Sequence, residues 1–222
     1  MSLASFIDHT ILKNTTTVAD IDKICKEAIE HSFAAVCVPP YFVMDARKIL
    51  ENTPVKLATV IGFPFGYHHY IVKHSEAELA IKEGADEIDM VMNLAAFKSN
   101  DMAYVETEAD YLSGLTAKTG KVLKVIIESG VLTGEEIIRC CELYSHYPVQ
   151  FLKTSTGYAD KGASVEAVQL MRKHLPASIQ IKASGGIRTT AFAQQLVEAG
   201  ATRLGCSASI AIIKGEKGGG DY

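Results

Sequence analysis

Three lysines interrupt apolar runs of this chain: Lys124 in KVLKVII (121–127), Lys153 at the end of VQFLK (149–153) and Lys182 in SIQIKA (178–183). A single lysine in such a place is ordinarily explained by its stem lying on apolar surface while the ammonium reaches water. Three on neighbouring strands of one barrel bring their amines into a common pocket, and that has a chemical consequence. An isolated lysine has a pKa of about 10.4, so about one molecule in 2,500 carries a free amine at pH 7. Desolvation and a second ammonium nearby both disfavour the charged form. Bringing the pKa to about 7 takes roughly 4–5 kcal/mol of differential interaction. A neutral amine attacks carbonyl carbon and forms a Schiff base. Two lysines on adjacent strands therefore read as one nucleophile and one perturbing partner.

Schiff-base chemistry also needs a proton carrier. Asp89, within EIDMV, is the leading candidate, with Asp8 behind it, because a carboxylate near a lysine cluster relays protons through a water. The plainer role for Asp89 is an ion pair with Lys124. A second site is suggested by ASGGIR (183–188) and RLGCSAS (203–209), small-residue loops after the seventh and eighth apolar runs. Loops in those places of a barrel often hold phosphate, since bare backbone N–H groups face the anion. A tight turn is the bland alternative. His68, His69 and His74 raise a metal-dependent alternative, but there is no HExxH, and adjacent loop histidines are more often exposed. Cys37, at the end of an apolar run, reads first as a small buried hydrophobe.

Such residues need a frame to hold them. Eight apolar runs recur along the chain, at 4–8, 34–38, 55–61, 86–92, 121–127, 149–153, 178–183 and 202–206. Each is rich in Val, Ile, Leu or Ala and too short for a globular helix, so each is expected to be a strand. Amphipathic stretches lie between them. Val18, Ile21, Ile24, Cys25, Ala28 and Ile29 form one face behind a Thr16/Thr17 cap. Thr133 and Glu136 form a capping box before Ile137, Ile138, Cys141 and Tyr144. Phe192, Leu196 and Val197 lead to Gly200 as a stop, and 98–118 is the longest helical candidate. Eight units of roughly 28 residues predict an α/β chain folded as a single-domain (β/α)8 barrel. An open doubly wound sheet is the alternative, but no GxGxxG follows the first strand. In a barrel the chemistry sits at the C-terminal ends of the strands. Asp8, Asp89, Glu128, Lys153 and Lys182 all fall near those ends.

The composition is that of a globular protein: 222 residues, 48% hydrophobic, 22% charged, six prolines. A net charge of −4 gives no general pull toward nucleic acid or anionic membrane. No segment approaches the roughly 18 uninterrupted apolar residues of a membrane span. The N-terminus lacks a basic region and meets Asp8 early, unlike a signal peptide. Five cysteines, an odd number without a CxxC pair, read as reduced thiols in a cytoplasmic protein.

Taken together, FLKTSTG (151–157), IKASGGIR (181–188), GADEIDMVMN (84–93), GFPFG (62–66), KVIIE (124–128) and IDHTIL (7–12) resemble the deoxyribose-phosphate aldolase family. The resemblance runs from about residue 6 to 209, with the motifs in order on successive strands. It implies a class I, metal-free aldolase on a (β/α)8 barrel, needing no cofactor. Such enzymes reversibly cleave 2-deoxy-D-ribose 5-phosphate to D-glyceraldehyde 3-phosphate and acetaldehyde. By motif match Lys153 is the Schiff-base lysine, Lys182 the lysine that lowers its pKa, and Asp89 the proton-transfer carboxylate. Asp8, Cys37, Lys124 and Thr154 match pocket positions, and Gly157, Gly185, Gly186 and Ser207 match positions around the phosphate. Ala208, where the family commonly has a second Ser or Thr, and KGAS (161–164), where it tends toward GGAT, are departures that bear on phosphate selectivity. The expected partners are a small sugar phosphate and an aldehyde, with a homodimer as an open possibility. Residues 1–214 are assigned to the barrel and 215–222 to a flexible Gly-rich tail, whose Tyr222 is a candidate to fold over the mouth and assist proton transfer. The competing functions are another Schiff-base barrel aldolase with a different donor or acceptor, and a barrel that binds sugar phosphates without turnover.

Overall fold

A computed structural model describes residues 3–216 and residue 218. Eight parallel strands close into a barrel: β1 (Ile7–Thr10), β2 (Ala35–Val38), β3 (Lys56–Ile61), β4 (Glu87–Val91), β5 (Val122–Ile126), β6 (Phe151–Lys153), β7 (Gln180–Ser184) and β8 (Arg203–Cys206). Closure is made by β1, which pairs Asp8 with Ala35 on one side and with Gly205 on the other. The helices on the outside are α1 (Val18–Glu30), α2 (Val43–Leu50), α3 (Tyr70–Lys82), α4 (Leu94–Lys98), α5 (Met102–Thr119), α6 (Gly134–Tyr144), α7 (Val165–His174), α8 (Thr190–Glu198) and α9 (Ser209–Lys214). All eight expected strands are present. Tyr222, the expected contact from the tail, lies outside the described residues, as does most of 215–222.

Local chemistry explains where elements begin and end. Thr17 caps α1 in a reciprocal box with Asp20, and Thr133 does the same with Glu136 for α6. Helix α8 stops at Gly200, whose φ is +117°. Two boundaries and one helix face differ from the sequence expectation. The first strand begins at Ile7, behind a 3-10 turn at Leu3–Phe6, and extends into polar residues. His9 and Thr10 are accommodated because each has a partner: His9 meets Ser209 and Glu27, and Thr10 donates to the Asp8 carbonyl. The long helix expected over 98–118 is split into α4 and α5, because Asn100 turns left-handed and Asp101 caps a new start. On α1, Ile21, Ile24, Cys25 and Ala28 are buried while Val18 and Ile29 stay exposed. At 100° per residue those two lie at one edge of the stripe.

The hydrophobic core lies between barrel and helices. Val36, Val38, Leu57, Ile88, Met90, Leu123, Val125, Leu152 and Ile181 alternate outward from the strands and pack on Ile21, Ala46, Ala77, Leu112, Cys141, Met171 and Leu196 of the helices. One ion pair crosses this layer. Lys73 of α3 is fully buried and donates to Glu108 of α5 at 2.6 Å and to the Val91 carbonyl at 2.8 Å. The other oxygen of Glu108 accepts the Asn93 N–H at 2.9 Å. Gly62 after β3 lies over the same lysine stem: a Cβ there would sit 2.7 Å from Lys73 Cε. The C-terminal ends of β3 and β4 are thus pinned from outside by one buried pair.

Removing one member of such a pair leaves an uncompensated buried charge. Glu108→Leu is expected to cost about 3–5 kcal/mol of unfolding free energy, read from denaturant midpoints. Adding Lys73→Met to it should recover most of that loss. A single variant as stable as the parent would show that the pair carries no such strain.

Candidate active site

Alternation along the strands turns a second set of residues toward the barrel axis, and there the interior is not hydrocarbon. Asp8, Glu87, Asp89, Lys124, Lys153, Lys182 and Arg203 form one ion-pair network. Asp89 is its hub. Its Oδ1 accepts from Lys124 at 2.7 Å, and its Oδ2 accepts from both Lys153 and Lys182 at 2.8 Å. Lys182 also donates to Asp8 at 2.5 Å, and Lys124 to Glu87 at 2.6 Å. Arg203 closes the base of the network, with Nε on Asp8 at 2.7 Å, Nη2 on Glu87 at 2.9 Å and its guanidinium over the Phe151 ring. Strand register creates these meetings: Lys124 is paired with Asp89, Lys153 with Lys182 and Lys182 with Arg203.

Counting charges in the network identifies the odd one. Three carboxylates face four cations, so one cation is uncompensated if all are protonated. Burial lowers the pKa of Lys153, Lys182 beside it lowers it further, and Asp89 does not restore the ordinary value. Burial acts on Lys124 and Lys182 as well. There the carboxylates win: Asp89 and Glu87 raise Lys124, while Asp8 and Asp89 hold Lys182 well above the usual lysine range. Burial likewise pushes the pKa values of Asp8 and Asp89 up. Their cationic neighbours, Arg203 foremost for Asp8 and Lys124 foremost for Asp89, outweigh it and keep both ionised. Releasing the Lys153 proton leaves the network neutral.

Opposite the charges stands a small apolar wall inside the barrel, made of Leu12, Cys37, Ala58 and Val60 with Phe63 against them. Burial pushes the Cys37 thiol up to about 11, so Cys37 is a protonated thiol on this wall at neutral pH.

Beyond the strands, at the mouth, a cavity of about 140 Å³ opens between the loops after β6, β7 and β8. Gly157, Gly185, Gly186 and Ser207 line it, joined by Asp160 and Arg188. Its floor has no room for side chains: a Cβ on Gly162 would lie 2.3 Å from the Gly185 carbonyl oxygen. The KGAS loop therefore packs directly on the ASGG turn, and the Ala163 N–H is bonded to the Ser184 carbonyl at 3.0 Å. Ala208 is buried beside this cavity, and Gly218 lies against it, with its N–H on the Arg188 carbonyl at 2.9 Å.

Most of the residues singled out in the sequence thus fall into one of two adjoining groups. Asp8, Asp89, Lys124, Lys153 and Lys182 share the network, and Cys37 faces it. Gly157, Gly185, Gly186 and Ser207 line the cavity. Thr154 is turned elsewhere: its hydroxyl accepts the Ser184 N–H at 3.1 Å and donates to the Ser184 carbonyl at 3.3 Å, tying β6 to β7. Glu87 and Arg203 were not anticipated. Glu87 was within reach of the sequence, since it lies two residues before Asp89 and so on the same face of the strand; Arg203 becomes visible only through register. Of the histidines considered for a metal, His69 uses its ring to cap α3 through the Ile71 N–H. Among the described residues no group of three or more His, Cys, Asp or Glu side chains is arranged to hold a metal ion. No helix among them is long and apolar enough to cross a membrane.

Comparison with known proteins places this geometry in a lineage. Residues 3–214 match the model of the DeoC/LacD family aldolase. A deoxyribose-phosphate aldolase of Streptococcus pneumoniae serotype 19F (strain G54) is 47% identical over 222 residues, covering the whole of both chains. One from Carboxydothermus hydrogenoformans is 46% identical, covering 99% of this chain and 97% of the relative. Among solved structures, the tetrameric deoxyribose phosphate aldolase of Aeropyrum pernix superposes with a TM-score of 0.89 at 30% identity, covering 96% of this chain and 89% of the other. The chain belongs to the DeoC/LacD aldolase family.

Proposed function

We propose that this chain reversibly cleaves 2-deoxy-D-ribose 5-phosphate to D-glyceraldehyde 3-phosphate and acetaldehyde through a Schiff base on Lys153. One observation carries the assignment of the nucleophile. Of the three axial lysines, Lys153 alone has its pKa lowered, and it is the cation that the three carboxylates leave uncompensated.

In the direction of synthesis the free amine of Lys153 adds to acetaldehyde, and loss of water gives an iminium. Its positive charge replaces the ammonium that Asp89 held, so the network keeps a cation in the same place. The iminium acidifies the adjacent carbon, which loses a proton to give an enamine. Asp89, kept ionised by its lysines, serves as proton acceptor and relay through a water, with the Lys182 ammonium at the same oxygen as the next proton store. The enamine carbon attacks the aldehyde of glyceraldehyde 3-phosphate, and hydrolysis frees the sugar. The apolar wall of Leu12, Cys37, Ala58, Val60 and Phe63 suits the hydrocarbon end of the donor. The phosphate binds in the cavity of Gly157, Gly185, Gly186 and Ser207, where Arg188 supplies positive charge and the bonding there orients the acceptor. The electron sink is the iminium, so the reading needs no metal. Five cysteines, all buried and unpaired, suit a reducing compartment such as the cytoplasm.

We place self-association, as a homodimer, on the face of α3. Ile71, Val72 and Leu79 are each more than half exposed there, beside the stacked Phe65 and Tyr67 rings. An apolar patch of this kind marks an interaction surface.

Borohydride reduction of the protein with acetaldehyde at neutral pH tests the reading first. An ethyl group mapped to Lys153, and absent from Lys153→Ala, is expected; labelling scattered over surface lysines would reject the nucleophile. The same reaction followed against pH tests the role of Lys182. The amine is released as pH rises through the Lys153 pKa, which lies below that of an ordinary lysine. Lys182→Met removes a like charge and frees Asp89 to stabilise the ammonium, so both effects raise that pKa. The trapping profile should move to higher pH, and an unmoved profile would assign Lys182 another role. For assembly, light scattering should find a dimer that Ile71→Glu with Leu79→Glu converts to monomer. A wild-type monomer at micromolar concentration would remove that face as an interface.

A further inference from the structure

Among the described residues, four other than glycine have a positive φ: Ser32, Asn52, Asn100 and Glu128. The first three directly follow α1, α2 and α4, where a left-handed residue is an ordinary way to end a helix. Glu128 does not. It lies two residues beyond β5, at φ +51° and ψ +57°, and a long side chain is strained in that region. Strain of this kind persists where the surroundings over-determine it, and it concentrates at functional sites.

The surroundings are specific. Glu128 is buried, and its carboxylate accepts both the Thr156 hydroxyl, at 2.5 Å, and the Thr156 N–H, at 3.2 Å. On either side of it, the Ile127 N–H bonds the Lys153 carbonyl at 3.0 Å and the Ser129 N–H bonds the Thr154 carbonyl at 2.7 Å. The Thr156 oxygen in turn accepts the Tyr158 N–H at 3.0 Å. Tyr158 reaches across the mouth, where its hydroxyl donates to the Leu12 carbonyl at 2.8 Å and its ring meets Phe63 edge-on at 5.4 Å. This chain of bonds spans the five residues from Lys153 to Gly157 and beyond. At one end is the proposed nucleophile, and at the other is the glycine lining the anion cavity.

We propose that Glu128 is a positioning residue: through Thr156 and Tyr158 it fixes the distance between the Lys153 amine and the anion cavity, and so matches the site to an aldehyde carrying its phosphate at that separation. The inference rests on the aldolase reading above. With Glu128 in the left-handed turn, its carboxylate meets Thr156, three residues beyond the end of β6. The Tyr158 tie to Leu12 then braces the far side of the segment against the first loop. Misplacement of about 1 Å between a reacting group and a binding group lowers rates by about 100-fold, which gives the effect its scale.

The test compares D-glyceraldehyde 3-phosphate with unphosphorylated D-glyceraldehyde as acceptors, using the full chain and four variants: Glu128→Gln, Glu128→Ala, Glu128→Gly and Thr156→Val. Glu128→Ala and Thr156→Val should lose about 10- to 100-fold in kcat/KM with the phosphorylated aldehyde and far less with the other. Glu128→Gln, which still accepts the Thr156 N–H, should retain most of the preference. Glu128→Gly removes the backbone strain together with the carboxylate and should behave like Glu128→Ala. Equal losses on both acceptors, or recovery in Glu128→Gly, would overturn the positioning role; Thr156→Val keeps the question answerable if the Glu128 variants fold poorly. Borohydride trapping separates the two levels of failure. Wild type without a trappable Lys153 would sink the aldolase reading itself, whereas normal trapping with undiminished phosphate preference in the variants would sink only this inference.

Discussion

A barrel of eight parallel strands must fill its axis with side chains, and here most of that volume is given to ions. Seven charged groups from six strands share an interior from which water is largely excluded, and every one of them depends on the others for compensation. This constraint orders the rest of the molecule. The carboxylates must stay ionised for Lys124, Lys182 and Arg203 to stay charged. The shortfall of one negative charge then falls on the lysine nearest the mouth. Burial and the balance of charge over these neighbours together give Lys153 its lowered pKa.

The outer layers serve that set. The ordinary hydrophobic core lies between strands and helices, so the barrel does not rely on its axis for cohesion. The Lys73–Glu108 pair fixes the ends of β3 and β4 from the far side of the sheet, two residues from Asp89. Surfaces are divided as well: the apolar wall of Leu12, Cys37, Ala58 and Val60 stands inside the barrel, and a glycine-lined cavity opens at the mouth, where N–H groups that no side chain obstructs suit an anion.

Much of this was legible in the sequence, and the parts that were not have physical reasons. Strands reveal themselves as short apolar runs because their outward faces are buried against helices, which is why all eight were found. The first is displaced by a few residues because IDHT is polar after Ile7, and His9 and Thr10 are held in the strand by their partners. The continuous helix over 98–118 failed at Asn100 and Asp101, a stop and a cap side by side that periodicity alone passes over. The lysines and Asp89 stood out because charge in an apolar run is anomalous. Arg203 did not, since it opens its strand after a threonine, where charge is unremarkable, and only register with Lys182 brings it to the axis. Thr154 matches a pocket position by motif, and the structure shows its hydroxyl bonded to the Ser184 backbone, a contact that no motif displays.

Filling the axis with ions also alters how the fold responds to temperature. Exposing hydrocarbon on unfolding raises the heat capacity, whereas exposing polar surface lowers it. An axis of carboxylates and ammoniums therefore subtracts from the heat-capacity change to which valines and leucines would add, and the curve of stability against temperature is flattened accordingly. The hydration lost by buried ions also becomes less favourable on heating, so the penalty for keeping them dry shrinks as the protein warms. The ions along the axis thus weigh least against the barrel when it is warm.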